Sequence, residues 1–315
     1  MGRGALMSRQ GPDDFTPRRY EVRHRTTYTY EGADVTACYE RGFLGPRPTP
    51  TQRVLSNEVH VSPEPDLVSE HTDHFGNRSS YVEVRTPHRV LEVTKTSVLD
   101  VEWPEVDLDA LDAWTVDAAV AALAEDADPV VHASYLLPSP LVAVDDAVRD
   151  YALRVLDPAA PLGQAVVGLT HAIFEDFTYA SGVTNVRTTL PELLELRQGV
   201  CQDFTHLALG CLRAVGLPAR YVSGYLETAP PPGQPRLEGS DASHAWASVM
   251  VPGGTWVDLD PTNDHLADSR YVVTAWGRDF RDVSPLKGVV FTEASGSSLD
   301  VGVDVVRLPS PDTLG

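Results

Sequence analysis

The hydrophobic and polar positions along the chain change period twice. From residue 20 the period is two: Tyr20-Glu21-Val22-Arg23-His24-Arg25-Thr26-Thr27-Tyr28-Thr29-Tyr30 alternates and is rich in Thr and Tyr, as a half-exposed strand should be. Further alternating runs at 35–42, 54–62, 79–85 and 90–101, with a Pro-rich break at 45–51 and a turn at 73–77, predict about six strands. They suggest a small antiparallel β-sandwich over residues 20–103. Residues 104–140 are rich in Asp, Glu, Ala and Pro and read as an acidic linker with one or two short helices, one of them at 115–124. From 141 the period is helical, with helices expected at 142–155, 161–177 and 189–197. Phe204, Leu207, Ala208, Cys211, Leu212 and Val215 then form the apolar stripe of a core-facing helix. From 219 the period returns to two. Strands are expected at 219–226, 244–251, 255–259, 271–275, 289–292 and 299–308, with a Pro/Gly-rich loop at 229–239 and a hairpin turn at Gly253-Gly254. Helices followed by an antiparallel sheet make an α+β domain over 141–308. Residues 1–19 read as a disordered leader without the apolar core of a signal peptide, and 309–315 as a frayed tail.

The chemistry concentrates where the second change of period is prepared. Gly199 supplies a tight turn, and Cys201 follows at the start of the striped helix. Unpaired backbone N–H groups and the helix dipole favour a thiolate there. His244 begins one strand and Asp260 ends its partner. Folding the ribbon about Gly253-Gly254 brings these two ends together. Pro261 stops the ladder and leaves Asp260 at a strand end. Sulfur, imidazole and carboxylate so placed have the logic of a thiol triad. Asp258 lies two residues from Asp260 on the same strand face, and alternation alone leaves the choice between them open. Cys211 belongs to the apolar stripe and reads as core, and Cys38 as structural. His206, one turn past Cys201, points off the stripe, which suggests a supporting or surface role. His71 and His74 are read as loop residues rather than metal ligands.

Composition narrows the setting. The 315 residues carry a formal net charge of −20, which argues against nucleic acid or an anionic membrane as partner. Three cysteines do not make a disulfide framework, and no run approaches the length of a membrane helix, so a cytoplasmic location is expected. No metal or cofactor is expected, and the composition leaves the oligomeric state open.

The motifs Gly199-Val200-Cys201-Gln202-Asp203-Phe204, Ser243-His244-Ala245-Trp246 and Asp260-Pro261-Thr262-Asn263 resemble those of the transglutaminase-like superfamily. Two further stretches, 217–225 and 277–288, resemble its bacterial branch, which carries an N-terminal β domain. The resemblance implies a papain-like fold with the cysteine helix packed on an antiparallel sheet. It implies Cys201 as nucleophile, His244 as acid and base, and Asp260, rather than Asp258, as the orienting carboxylate. The Cys201 backbone N–H is a natural oxyanion donor. Tyr179, where relatives have an aromatic residue, is a second candidate. Gln202, Trp246 and Arg278 are further supporting candidates, Arg278 as a pair with Asp279. The expected reaction is acyl transfer from an amide of a protein or peptide substrate, most simply hydrolysis. Transamidation of glutamine and a non-catalytic scaffold on the same fold are the alternatives.

Overall fold

The computed structural model describes residues 10–228 and 243–309, so the loop expected at 229–239 and the chain ends 1–9 and 310–315 lie outside it. The N-terminal half supplies β1 (Arg18–Glu31), β2 (Val35–Gly42), β3 (Gln52–Ser62), β4 (Leu67–Thr72), β5 (Arg78–Val84) and β6 (Val90–Val101). β1 and β6 pair antiparallel, and Tyr20, Val22, His24 and Thr26 of β1 turn inward while Glu21, Arg23 and Arg25 face water. The period of two seen in the sequence is thus the alternation between core and solvent.

Then come α1 (Leu108–Asp112), α2 (Val116–Asp126), α3 (Pro129–Leu136), α4 (Asp146–Val155) and α5 (Leu162–Asp176). The short strand β7 (Thr178–Tyr179), α6 (Leu190–Leu196), β8 (Gln198–Gly199) and α7 (Cys201–Ala214) lead to β9 (Ala219–Leu226), β10 (Ser243–Val251), β11 (Thr255–Asp260), β12 (His265–Leu266) and β13 (Tyr271–Gly277). These five strands form one sheet in the order β12-β11-β10-β9-β13. The α+β architecture, a β-sandwich followed by a helix-on-sheet domain, is as expected.

Three readings of the sequence need correction. The segment 104–140 is no linker: its three helices are part of the helical half, and Val116, Ala119 and Leu123 are buried in the main core. Several of its acidic residues act locally rather than as a solvated face. Asp107 and Asp128 accept hydrogen bonds from the first-turn N–H groups of α1 and α3, satisfying donors that helix starts leave unpaired. The last two strands, β14 (Leu286–Thr292) and β15 (Gly296–Leu308), do not extend the five-stranded sheet. They return to the N-terminal half, where β14 pairs with β2 and β15 lies along β1 from Arg19↔Leu308 to Glu31↔Gly296. The sandwich is therefore two four-stranded sheets, β15-β1-β6-β3 and β14-β2-β5-β4, closed by the far end of the chain. Alternation marks a strand's faces but does not name its partner. Finally, residues 10–17 are not a free leader: Gln10 Nε2 donates to the Leu266 carbonyl and to Asp268, and Pro12–Phe15 form a 3-10 turn.

The five-stranded sheet is covered on both faces. One face carries Ala219, Tyr221, Ala245, Ala247, Val249, Val257 and Leu259 into the core built around α7. The other carries Val222, Trp246, Tyr271 and Val273, against which Trp103 of the N-terminal half packs. Gly224 is required on this face, because a Cβ there would lie 2.1 Å from the Val272 carbonyl and 2.5 Å from the Trp246 ring. The open edge at β13 is closed by side-chain amides. Gln52 both donates to and accepts from the backbone of Val273, and Asn77 does the same for Trp276. An edge otherwise free to pair with another chain is thereby occupied. Among the described residues no helix is long and apolar enough to cross a membrane.

Candidate active site

The chain enters α7 through the short parallel pair β7–β8, in which Tyr179 lies beside Gly199. The turn that follows is held by Asp203. Its Oδ2 accepts from the Val200 N–H at 2.9 Å and from the Thr184 hydroxyl at 2.7 Å. Gly199 leaves room for this carboxylate, since a Cβ there would stand 2.8 Å from Oδ2. Burial pushes Asp203 above the usual carboxylate range, against the pull of the two hydrogen bonds. The result is that Cys201 is the first residue of α7, half-buried, as its place after the glycine turn predicted.

The second part of the site is the open end of the β10–β11 ribbon. The ladder runs from Val251↔Thr255 to Ala247↔Leu259, so His244 and Asp260 lie just beyond it on one diagonal. His244 Nε2 donates to Asp260 Oδ2 at 2.6 Å, and the imidazole also hydrogen-bonds Cys201. Asp260 is fully buried and saturated with donors. Oδ2 also receives Asn263 Nδ2 and the Tyr271 hydroxyl, each at 2.7 Å, and Oδ1 receives the backbone N–H of Thr262 at 2.9 Å and of Asn263 at 3.3 Å.

The electrostatics follow from that arrangement. Burial alone would lower the His244 pKa, but the charge and hydrogen bond of Asp260 outweigh it and raise it. Burial would raise Asp260, but the imidazolium and the surrounding donors hold it below the usual carboxylate range. The favoured state is therefore a carboxylate facing an imidazolium, with the sulfur hydrogen-bonded to the imidazolium.

The remaining predicted residues divide. Trp246 is fully buried, with its ring centroid 6.1 Å from that of His244 and its Nε1 donating to Asp258 at 2.7 Å. Asp258 does share the strand face of Asp260, as alternation required, but it holds Trp246 and Ser248 rather than the imidazole. Tyr179 is 56% exposed, near enough to Cys201 for the two to interact electrostatically. Gln202 is half-buried in the first turn of α7. Arg278 and Asp279 do not pair with each other. Arg278 binds Asp282, with Nε 2.9 Å from Oδ2, while Asp279 accepts from the Leu141 and Arg281 N–H groups. His206 is not at the surface: it is buried, and its Nε2 accepts from the Phe280 N–H at 3.2 Å. Cys38 and Cys211 are buried. His71 lies in β4, and His74 sits in the adjoining turn with its ring against Phe75. Among the described residues no group of three or more His, Cys, Asp or Glu side chains is arranged to hold a metal ion.

Asn263 and Tyr271 were not singled out from the sequence as site residues. Asn263 stands in the quoted Asp-Pro-Thr-Asn motif, where a turn amide directly after the strand end was a usable signal. Tyr271 carried none, because an aromatic residue opening a strand is ordinary core material.

Comparison with known proteins bears on both halves. Residues 20–100 match the bacterial transglutaminase-like N-terminal region, and residues 149–261 match the transglutaminase-like superfamily. An uncharacterized protein of Mycobacterium tuberculosis is 45% identical over 296 residues, spanning 91% of this chain and 92% of its own length. One from Mycobacterium leprae is 33% identical, spanning 92% and 99%. The crystal structure of a candidate cysteine protease from Cytophaga hutchinsonii superimposes with a TM-score of 0.75 at 21% identity, covering 94% of this chain and 92% of that one.

Proposed function

The chain belongs to the transglutaminase-like superfamily, with the bacterial N-terminal region, and on that premise we propose that it is a thiol acyl-transfer enzyme acting on amide bonds of a protein or peptide. One observation carries the reading: Cys201 at a helix start, His244 hydrogen-bonded to it, and Asp260 bonded to His244 at 2.6 Å. The sulfur attacks the amide carbonyl carbon. The His244 imidazolium gives its proton to the leaving nitrogen, the C–N bond breaks, and a thioester remains on Cys201. His244, now neutral, takes a proton from the incoming water, whose oxygen attacks the thioester carbon; the C–S bond breaks, the acyl group leaves as a carboxylic acid, and the Cys201 sulfur is restored beside the His244 imidazolium. Asp260 fixes the imidazole tautomer and offsets its charge. The Cys201 N–H, one of those a helix start leaves unpaired, suits the oxyanion of each addition step. Water is the preferred acceptor because peptidases and amidases are at least as common in the superfamily as cross-linking enzymes.

Iodoacetamide at about pH 6 tests the first half of this, because only an activated thiol reacts readily there. Fast, selective modification of Cys201 is expected, whereas equal, sluggish labelling of all three thiols would leave a scaffold. A proteomic substrate screen tests the second half. New peptide termini mean hydrolysis, and loss of ammonia with new isopeptide bonds means transamidation.

A further inference from the structure

We propose that Tyr271 is a positioning residue of the Cys201–His244–Asp260 chain and that Trp103, where the chain leaves the β domain, sets Tyr271, so that the N-terminal domain is a component of the active site. This rests on the thiol acyl-transfer reading above. Tyr271 is fully buried at the start of β13. Its hydroxyl donates to the same Asp260 oxygen that accepts the hydrogen bond from His244, at 2.7 Å. Its ring centroid is 6.2 Å from that of His244 and 5.2 Å from that of Trp246, edge-on to the latter. The phenol therefore fixes the rotation of the carboxylate, and the ring limits the swing of the imidazole. Burial, followed by the Asp260 charge, holds the phenol far above its usual pKa, so it stays a donor.

The grip on Tyr271 comes from the other half of the molecule. The Trp103 indole N–H donates to the Tyr271 carbonyl at 3.0 Å, and the Trp103 backbone N–H donates to Ser269 Oγ at 3.1 Å. On β1, the Tyr20 hydroxyl donates to the Ser269 carbonyl at 3.1 Å. The turn that delivers the phenol is thus bonded to two elements of the β domain. The groups facing His244 are Cys201 from α7, Asp260 from β11, Asn263 from the turn after it and Tyr271 from β13, with Trp246 on its own strand. Asp260 also faces Asn263 and His265, and Tyr271 faces Asp268 and Arg270.

Alkylation of Cys201 by iodoacetamide in the full chain tests this without a substrate. Tyr271→Phe keeps the ring and loses the hydroxyl. It should slow alkylation at about pH 6 by roughly tenfold and shift the pH–rate profile to the alkaline side, the scale expected for one hydrogen bond to a buried charge. Trp103→Phe should slow it a fewfold, and the double variant should match Tyr271→Phe alone, because both act through one carboxylate. Labelling of Cys38 and Cys211 reports the fold and should not change. Losses that multiply, or an unshifted profile in Tyr271→Phe, overturn the inference. If Trp103→Phe exposes Cys211, the Tyr271→Phe profile decides alone. Wild-type protein without selective Cys201 labelling would sink the acyl-transfer reading itself, and this inference with it.

Discussion

The first residue of α7 and its buried interior carry the same functional group in different surroundings. Cys201 begins the helix, half-buried, with an imidazole on its sulfur. Cys211 lies in the main core with no exposed surface, and burial pushes its thiol far above the ordinary range. The histidines repeat the contrast. His244, at a strand end, faces a carboxylate and is held protonated. His206, one turn into the helix, is closer to Cys201 in sequence but is turned toward the Phe280 N–H. Residue type and proximity along the chain therefore do not make the site. Position at the end of an element does, because ends leave backbone donors unpaired and side chains free to meet. The largest expected effect tests this directly. Cys201→Ala and His244→Ala should each abolish turnover, and the double variant should be no worse, because the pair acts as one unit. Cys211→Ala should leave the steady-state rate untouched and cost about 1 kcal/mol in chemical denaturation, the scale of one buried group removed. Equal losses from the two cysteines would break the comparison.

A smaller effect separates charge from placement at His244. Burial alone would lower this imidazole, and the Asp260 carboxylate instead raises it to about 10. Asp260→Asn keeps the shape and removes the charge, so burial is opposed only by Cys201. The alkaline limb of the pH–rate profile should then move to lower pH, toward the ordinary histidine value of about 6.5 or below, and kcat should fall on the order of 10³-fold. Loss of rate with an unmoved alkaline limb would mean that Asp260 only holds the ring in place.

Much of this was legible in the sequence, and what was missed has a common cause. The glycine turn, the striped helix and the two ends of one hairpin are local patterns. They put Cys201, His244 and Asp260 at the ends of their elements, and the family motif decides between Asp258 and Asp260. What failed was pairing at long range. The strand Gly296–Leu308 alternates cleanly, yet nothing in its period says that it runs beside Arg18–Glu31, more than 260 residues away. The three helices in 104–140 looked like a linker because Asp, Glu, Ala and Pro dominate the segment, although Val116 and Leu123 are core residues. Tyr271 read as one more buried aromatic residue, and only the folded sheet brings its hydroxyl to Asp260. His206 failed in a different way. The stripe was read as one face, but α7 is covered on nearly every side, so a residue off the stripe is still buried.

That burial gives an effect on stability alone, and it has the opposite sign to His244. The folded state holds His206 neutral, its pKa lowered to about 4 chiefly by burial. The unfolded chain takes up a proton near 6.5, so stability is lost as pH falls from 6.5 toward 4, by about 2 kcal/mol at pH 5. His24, at the junction of the two halves, is lowered to about 4 by the same cause and adds to the same branch. His244, raised by Asp260, contributes stability that is complete below 6.5 and is lost as pH climbs toward about 10. His206→Gln retains an acceptor for the Phe280 N–H and loses the titration. Denaturant unfolding from pH 7 to 5 should become flatter by about 2 kcal/mol while the alkaline branch is unchanged. Asp260→Asn should flatten the alkaline branch, which His206→Gln leaves alone. If His206→Gln instead altered the alkaline branch, the two histidines would share one electrostatic unit, and the contrast between the helix interior and the strand end would be lost.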